Sequence, residues 1–168
     1  EAGDIVILDD NFKSIAQSIL FGRTIYRSIQ KFIVFQLTLN VGALLISFIA
    51  PFIGIDHPLT ITQMLWVNLV MDTLAALAFG AEPTLKRYMK EKPKRRDENI
   101  VTRSMFSAFA FQGVVITIMG LWMLKGGFLN QFFSSELALT TGFFSFFILY
   151  AVFNGFNVRT EKLNIFDN

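Results

Sequence analysis

Four stretches of 21 to 24 residues carry one charged side chain between them, and no other feature of the 168-residue sequence constrains the fold as tightly. They run from Phe32 to Ile55, Leu59 to Ala81, Ser104 to Leu124 and Leu137 to Val158. An α-helix needs about 20 apolar residues to cross the hydrocarbon core of a bilayer. All four stretches meet that length. A closed β-barrel would instead show alternating segments of about 10 residues, and no such alternation is present. Buried core helices of a soluble protein are the plainer alternative, but the chain is 53% hydrophobic with 20 Phe. A water-soluble domain of this size has too much surface to hide that many apolar side chains. Disorder is excluded by the same composition. The expected fold class is an all-α membrane protein with four transmembrane helices, an integral component of its membrane.

The basic residues orient these spans. Residues 12–31 hold Lys13, Arg23, Arg27 and Lys31, the connection Asp56-His57-Pro58 holds no Lys or Arg, and residues 82–103 hold eight. The third connection has Lys125 alone, and the tail, residues 159–168, has Arg159 and Lys162. Positive charge collects on the cytoplasmic side. The N-terminus, the 82–103 loop and the C-terminus are therefore expected in the cytoplasm, with His57 outside. The run Lys-Pro-Lys-Arg-Arg at 92–96 is explained by topology before any specific anionic-lipid site. A net charge of +2 gives no reason to expect nucleic acid. The expected partner is membrane lipid. Pro83 and Pro93 make residues 82–103 a loop and not one helix.

The segment before the first span has its own organisation. Asp4 to Leu8 is short, apolar and β-branched, a strand remnant that would need a soluble partner domain. Asp9-Asp10-Asn11 is a helix-capping cluster. Apolar residues then recur at Phe12, Ile15, Ile19, Ile25, Ile29 and Phe32, close to helical spacing. The expectation is a stalk over residues 12–31 that continues into the first span, with residues 1–11 the end of another domain. Phe12 to Ala50 is 39 residues, about 58 Å of helix at 1.5 Å per residue. That is about twice the bilayer core, a rod suited to mechanical coupling. The chain starts at Glu1 without Met and is expected to be a piece of something longer.

Chemistry is concentrated in the few polar groups inside the spans. Asp72 is the only carboxylate in any of them, and a charge at mid-membrane marks an ion path, a proton relay or a buried pair. Asn68 precedes it by four residues, on the same face of a regular helix. Asn40 sits mid-way along the first span. Asn and Asp offer oxygen ligands, of which a hard cation such as Ca²⁺ takes six to eight. Asn40, Asn68 and Asp72 supply about four at most, so the candidate metal site is incomplete and needs backbone, water or another helix. Interhelical hydrogen bonding is the competing role, above all for Asn40, and the one expected for Gln36 and Gln112. Asn154 and Asn157 are expected to cap the fourth span near the interface. Phe143 to Phe147 is expected to face lipid or pack, Gly126-Gly127 to turn, and Trp66, Trp122 and His57 carry no further claim. With no Cys and one His, thiolate and multi-His metal sites are excluded. No Gly-rich phosphate loop and no nucleophile constellation is present, so no catalytic residue is expected.

These residues also carry a resemblance. EAGDIVILDDNF, Glu1 to Phe12, resembles the closing stretch of the phosphorylation domain of P-type cation ATPases. GRTIYRSIQKF, Gly22 to Phe32, resembles the stalk part of their fifth membrane helix. LWVNLVMDTLAALAFGAEP, Leu65 to Pro83, resembles the sixth helix of the calcium-pump branch. The resemblance implies that the four spans are helices five to eight of an ATP-driven pump working through an aspartyl-phosphate. It implies that Asn40, Asn68 and Asp72 are ligand positions for transported Ca²⁺, and that a further ligand lies on a fourth helix outside this chain. Mg²⁺ and ATP would bind in cytoplasmic domains that are also outside it, together with the remaining membrane helices the partners of this segment. Ala43 and Ala151 stand where two-site reticulum pumps have acids, which implies one ion per cycle, as in plasma-membrane-type calcium pumps. The expected setting is the plasma membrane, here a bacterial inner membrane. The reading from another class is a stand-alone four-helix cation-binding protein or channel subunit.

Overall fold

The computed structural model describes residues 11–56, 58–95, 97–125, 132 and 135–159. The expected strand at Asp4–Leu8, His57, Gly126-Gly127 and the tail beyond Arg159 lie outside those residues.

Helix α1 spans Phe12–Ile49 without interruption, 38 residues. Asn11 caps it, its side chain accepting from the Lys13 N–H at 2.9 Å. Gly22 does not stop the helix, since a single interior glycine costs only about 1 kcal/mol. Pro51 lacks the N–H an α-helix requires. The chain accordingly tightens into a 3₁₀ turn over Ala50–Ile53, and Gly54 closes it at φ 85°. Thr60 opens the second span with a reciprocal capping box: Gln63 N–H donates to Thr60 Oγ1 at 3.2 Å and Thr60 N–H to Gln63 Oε1 at 2.8 Å. This span is three pieces, α2 Ile61–Trp66, a π-helical turn Val67–Met71 and α3 Asp72–Gly80. A 3₁₀ turn at Lys86–Lys90 interrupts the following loop. Helix α4 is Arg103–Lys125 and α5 is Glu136–Arg159. Four helical segments are long and apolar enough to cross a membrane, as the sequence implies, and the described residues contain no strand.

Hydrocarbon offers no hydrogen bonds, so hydroxyls in these helices turn back onto their own backbone. Thr38 donates to Val34 O, Thr117 to Gly113 O and Thr141 to Leu137 O, at 2.7 to 2.8 Å. With these hydroxyls satisfied, association rests on close packing of small residues. Helices α1 and α4 meet through glycine on both sides. A Cβ added at Gly42 would collide with Ile116 Cγ2, and one at Gly113 would lie 2.7 Å from Val41 Cγ1. Phe143 and Phe147 of α5 are fully buried against this pair, together with Ile46 and Ile116. The Phe cluster is therefore core, with Phe143 and Phe147 inside and Phe144 and Phe146 half-buried around them.

Gly113→Ala is expected to lower stability in the full-length protein by about 1–3 kcal/mol, the usual effect of overpacking. Gly120→Ala, whose nearest neighbours would stand at 3.1 Å, is expected to lower it less. Thermal unfolding of the two purified variants in one detergent checks the order.

Candidate functional site

A carboxylate in the middle of a span has to find a partner, and Asp72 finds one on another helix. Gln36 Nε2 of α1 donates to Asp72 Oδ2. Both residues are half-buried. Asn40 lies one turn further along α1 on the Gln36 face and is also half-buried. The structure thus brings α1, at the level of Gln36, against the first residue of α3. Gln112 also fulfils its sequence expectation between helices. Its Oε1 lies 3.3 Å from Thr38 Oγ1, and its backbone carbonyl accepts from Tyr150 at 3.0 Å.

Asn68 is placed differently. The expectation that it shares a face with Asp72 presupposes a regular α-helix between them. Asn68 lies inside the π turn that ends at Met71. A π turn holds more residues than an α turn and rotates the flanking side chains against each other. Asn68 is exposed and Asp72 is not. Turns of this kind recur at functional sites, and this one is followed directly by the one carboxylate inside the spans. The second span is also the least covered of the four. Only 11% of its apolar window is buried, against 33% for the first and third; of its ligand-type residues Asn68 is exposed, while Asp72 is half-buried against α1. Among the described residues no cluster of three or more His, Cys, Asp or Glu could hold a metal ion. The oxygen donors Asn40, Asn68 and Asp72 suit a hard cation but fall short of a full shell.

Asn154 departs from its expected capping role. It is interior to α5, 2% exposed, and neither its Oδ1 nor its Nδ2 has a hydrogen-bond partner. Helix α5 continues to Arg159, so the end it was expected to cap lies further on. Asn157 is exposed. It borders a cavity of about 570 Å³ lined also by Gln30, Lys31, Met105 and Gln112. Ala151 is fully buried.

A second constellation escaped the sequence reading. The stalk half of α1 grips the 82–103 loop. Arg23 Nη1 donates to the carbonyls of Tyr88 and Glu91 at 2.6 and 2.7 Å. Arg27 pairs with Glu91 at 2.8 Å, and Gln30 Nε2 donates to Ile100 O at 3.0 Å. Lys31 and Glu82 form an ion pair at 2.5 Å with side chains only 9% and 10% exposed. Arg159 at the end of α5 lies 3.5 Å from the other Glu82 oxygen. Read by charge alone these cations only set topology. Their spacing Arg23, Arg27, Lys31 places them on one helical stripe, and that was the available signal for a docked partner. On the exposed side of the loop, Lys94 donates to Glu98 at 2.9 Å and holds its carboxyl below the usual range.

The family model described as "Cation transporting ATPase, C-terminus" matches residues 56–168. The chain belongs to this family. It is 45% identical over 168 residues to "Calcium-transporting ATPase 12, plasma membrane-type" of Arabidopsis thaliana, covering 99% of this chain and 16% of the relative. It is 41% identical over 170 residues to "Calcium-transporting ATPase 1, plasma membrane-type" of Oryza sativa subsp. japonica, with the same coverage. The chain thus spans about 16% of the length of the curated relatives it matches. Four helices long and apolar enough to cross a membrane, in a chain of this cation-transporting ATPase family, make it an integral membrane protein. Both relatives are plant proteins, and nothing in them supports a bacterial membrane.

The buried ion pair of the ATPase segment generates a prediction. Glu82→Ala leaves Lys31 buried without a partner and is expected to cost about 3–5 kcal/mol, whereas the double change Lys31→Met with Glu82→Leu is expected to cost much less. Thermal unfolding of the full-length protein, wild type against both variants, reads the difference.

Proposed function

We propose that this chain is the part of an ATP-driven calcium pump that holds part of the transported ion's site and the rod connecting it to the catalytic domains. The observation that carries the reading is Asp72, the one carboxylate within the spans, set at the junction of a π turn and α3 and bonded to α1. A carboxylate is kept at that depth for an ion, a proton or a counter-charge, and no cation of this chain within the described residues pairs with it. The calcium-transporting names of the relatives supply the ion. Asn40, Asn68 and Asp72 are the proposed ligands, with remaining oxygens from helices outside residues 1–168. Residues 12–31 act as the stalk and residues 1–11 as the end of the phosphorylation domain. ATP, Mg²⁺ and the aspartyl-phosphate belong to cytoplasmic domains of the full-length pump, which with its other membrane helices and surrounding lipid are the partners of this segment. A self-contained channel subunit is the weaker reading, since relatives matching along the whole chain carry pump names.

The reading predicts one transported dication per cycle. Asp72 with one further carboxylate neutralises one Ca²⁺, and a second dication would leave net positive charge in a low-dielectric site. Asp72→Asn in the full-length pump is expected to abolish Ca²⁺-dependent phosphorylation by ATP while sparing phosphorylation by inorganic phosphate. Wild-type Ca²⁺ dependence in that variant would rule out Asp72 as a ligand, and two bound Ca²⁺ per phosphoenzyme would rule out the single site.

The orientation proposed has the 82–103 loop in the cytoplasm and Asp56 outside. Single Cys substitutions at Arg95 and Asp56 in a Cys-free background are expected to react with an impermeant thiol reagent in intact cells at 56 only. Labelling at 95 reverses the assignment.

A further inference from the structure

We propose that Gln36 is a positioning residue for the cation site, fixing the orientation of the Asp72 carboxylate from the coupling helix α1. The inference rests on the ion-site reading of Asp72 and adds a residue to it. A carboxylate has no proton to give, so the Gln36 amide must meet it nitrogen first. That bond occupies Oδ2 and leaves Oδ1 for a cation. Among the described residues no other side chain hydrogen-bonds Asp72. Without the donor the carboxylate would turn freely, and cation binding would have to order it. Groups that hold a metal-binding carboxylate in place typically change affinity about 10- to 100-fold when removed.

The location of the donor adds to the argument. Gln36 is carried by the same unbroken helix as Arg23, Arg27 and Lys31, which grip the loop. It lies five residues past Lys31. Any displacement of α1 along or across its axis therefore moves the amide relative to Asp72, which belongs to a different span. An acceptor-only carboxylate and a directional N–H bond make that displacement count, because such bonds weaken steeply once misaligned.

The test uses the full-length pump in membranes. Phosphoenzyme formed from ATP is measured against free Ca²⁺, and phosphoenzyme formed from inorganic phosphate without Ca²⁺ reports folding. Gln36→Met and Gln36→Leu both remove the donor with different shapes. Each is expected to raise the Ca²⁺ concentration for half-maximal phosphorylation about 10- to 100-fold, with the maximum level and the phosphate reaction unchanged. A role in packing alone would lower the maximum and leave half-saturation in place. Half-saturation at the wild-type concentration in either folded variant overturns the proposal, as does loss of the phosphate reaction in both. Asp72→Asn runs alongside: if it responds to Ca²⁺ normally the ion-site reading itself fails, and if it is defective while Gln36→Met is normal only the role of Gln36 fails.

Discussion

Hydrogen bonding inside α1 is the constraint on which the rest of the molecule depends. In hydrocarbon a backbone must satisfy itself, and a helix does so residue by residue. Because α1 is unbroken for 38 residues, one rigid element passes from the loop-gripping stripe at Arg23, Arg27 and Lys31, through Gln36 and Asn40, to the glycine contact at Gly42. Interrupting it would separate these groups without altering any of them. The second span shows the opposite choice. It gives up regular α geometry over Val67–Met71, at the level where its polar side chains lie, and is the least covered by its neighbours. A continuous rod beside an interrupted one suits a division between transmitting displacement and offering oxygens.

The charged clamp belongs at the edge of the membrane for an energetic reason. A buried ion pair is stable only with good geometry and further hydrogen bonds. Glu82 meets this in part: Oε2 accepts from Lys31 of α1, while buried Oε1 has no hydrogen bond and only the charge of Arg159 of α5 at 3.5 Å. The middle of α1, the segment just past α3 and the end of α5 thereby meet at one carboxylate. Arg23 contributes differently, donating to the Tyr88 carbonyl, which also accepts from the Glu91 N–H, and to the Glu91 carbonyl just beyond the 3₁₀ turn Lys86–Lys90.

Much of the fold was legible because uncharged length is a direct physical requirement for spanning a bilayer, and the helix start at Asn11 follows from its capping chemistry. Asp72 was legible for the same reason: an ionised group in hydrocarbon needs an explanation. What stayed hidden depended on neighbours far along the chain. The π turn that separates Asn68 from Asp72 has no periodic signature in five apolar-rich residues. Arg23, Arg27 and Lys31 look alike whether solvated or paired, and only the folded loop distinguishes these states. Asn154 resembled a capping residue because it lies near the end of an apolar run, yet the helix extends past it. Gly42 and Gly113 are unremarkable until α1 and α4 are placed side by side.

The glycine contact also sets the leverage of α1. From Gly42 to Phe12 is about 45 Å of helix, and from Gly42 to Gln36 about 9 Å, at 1.5 Å per residue. A rigid rod pivoting where Gly42 and Gly113 let the two backbones meet has arms in a ratio of about five to one. A lateral swing of about 5 Å at the Phe12 end would then arrive at Gln36 as about 1 Å. That is on the scale at which a hydrogen bond is made or lost, so a coarse displacement at the far end would be geared down to an atomic adjustment beside Asp72.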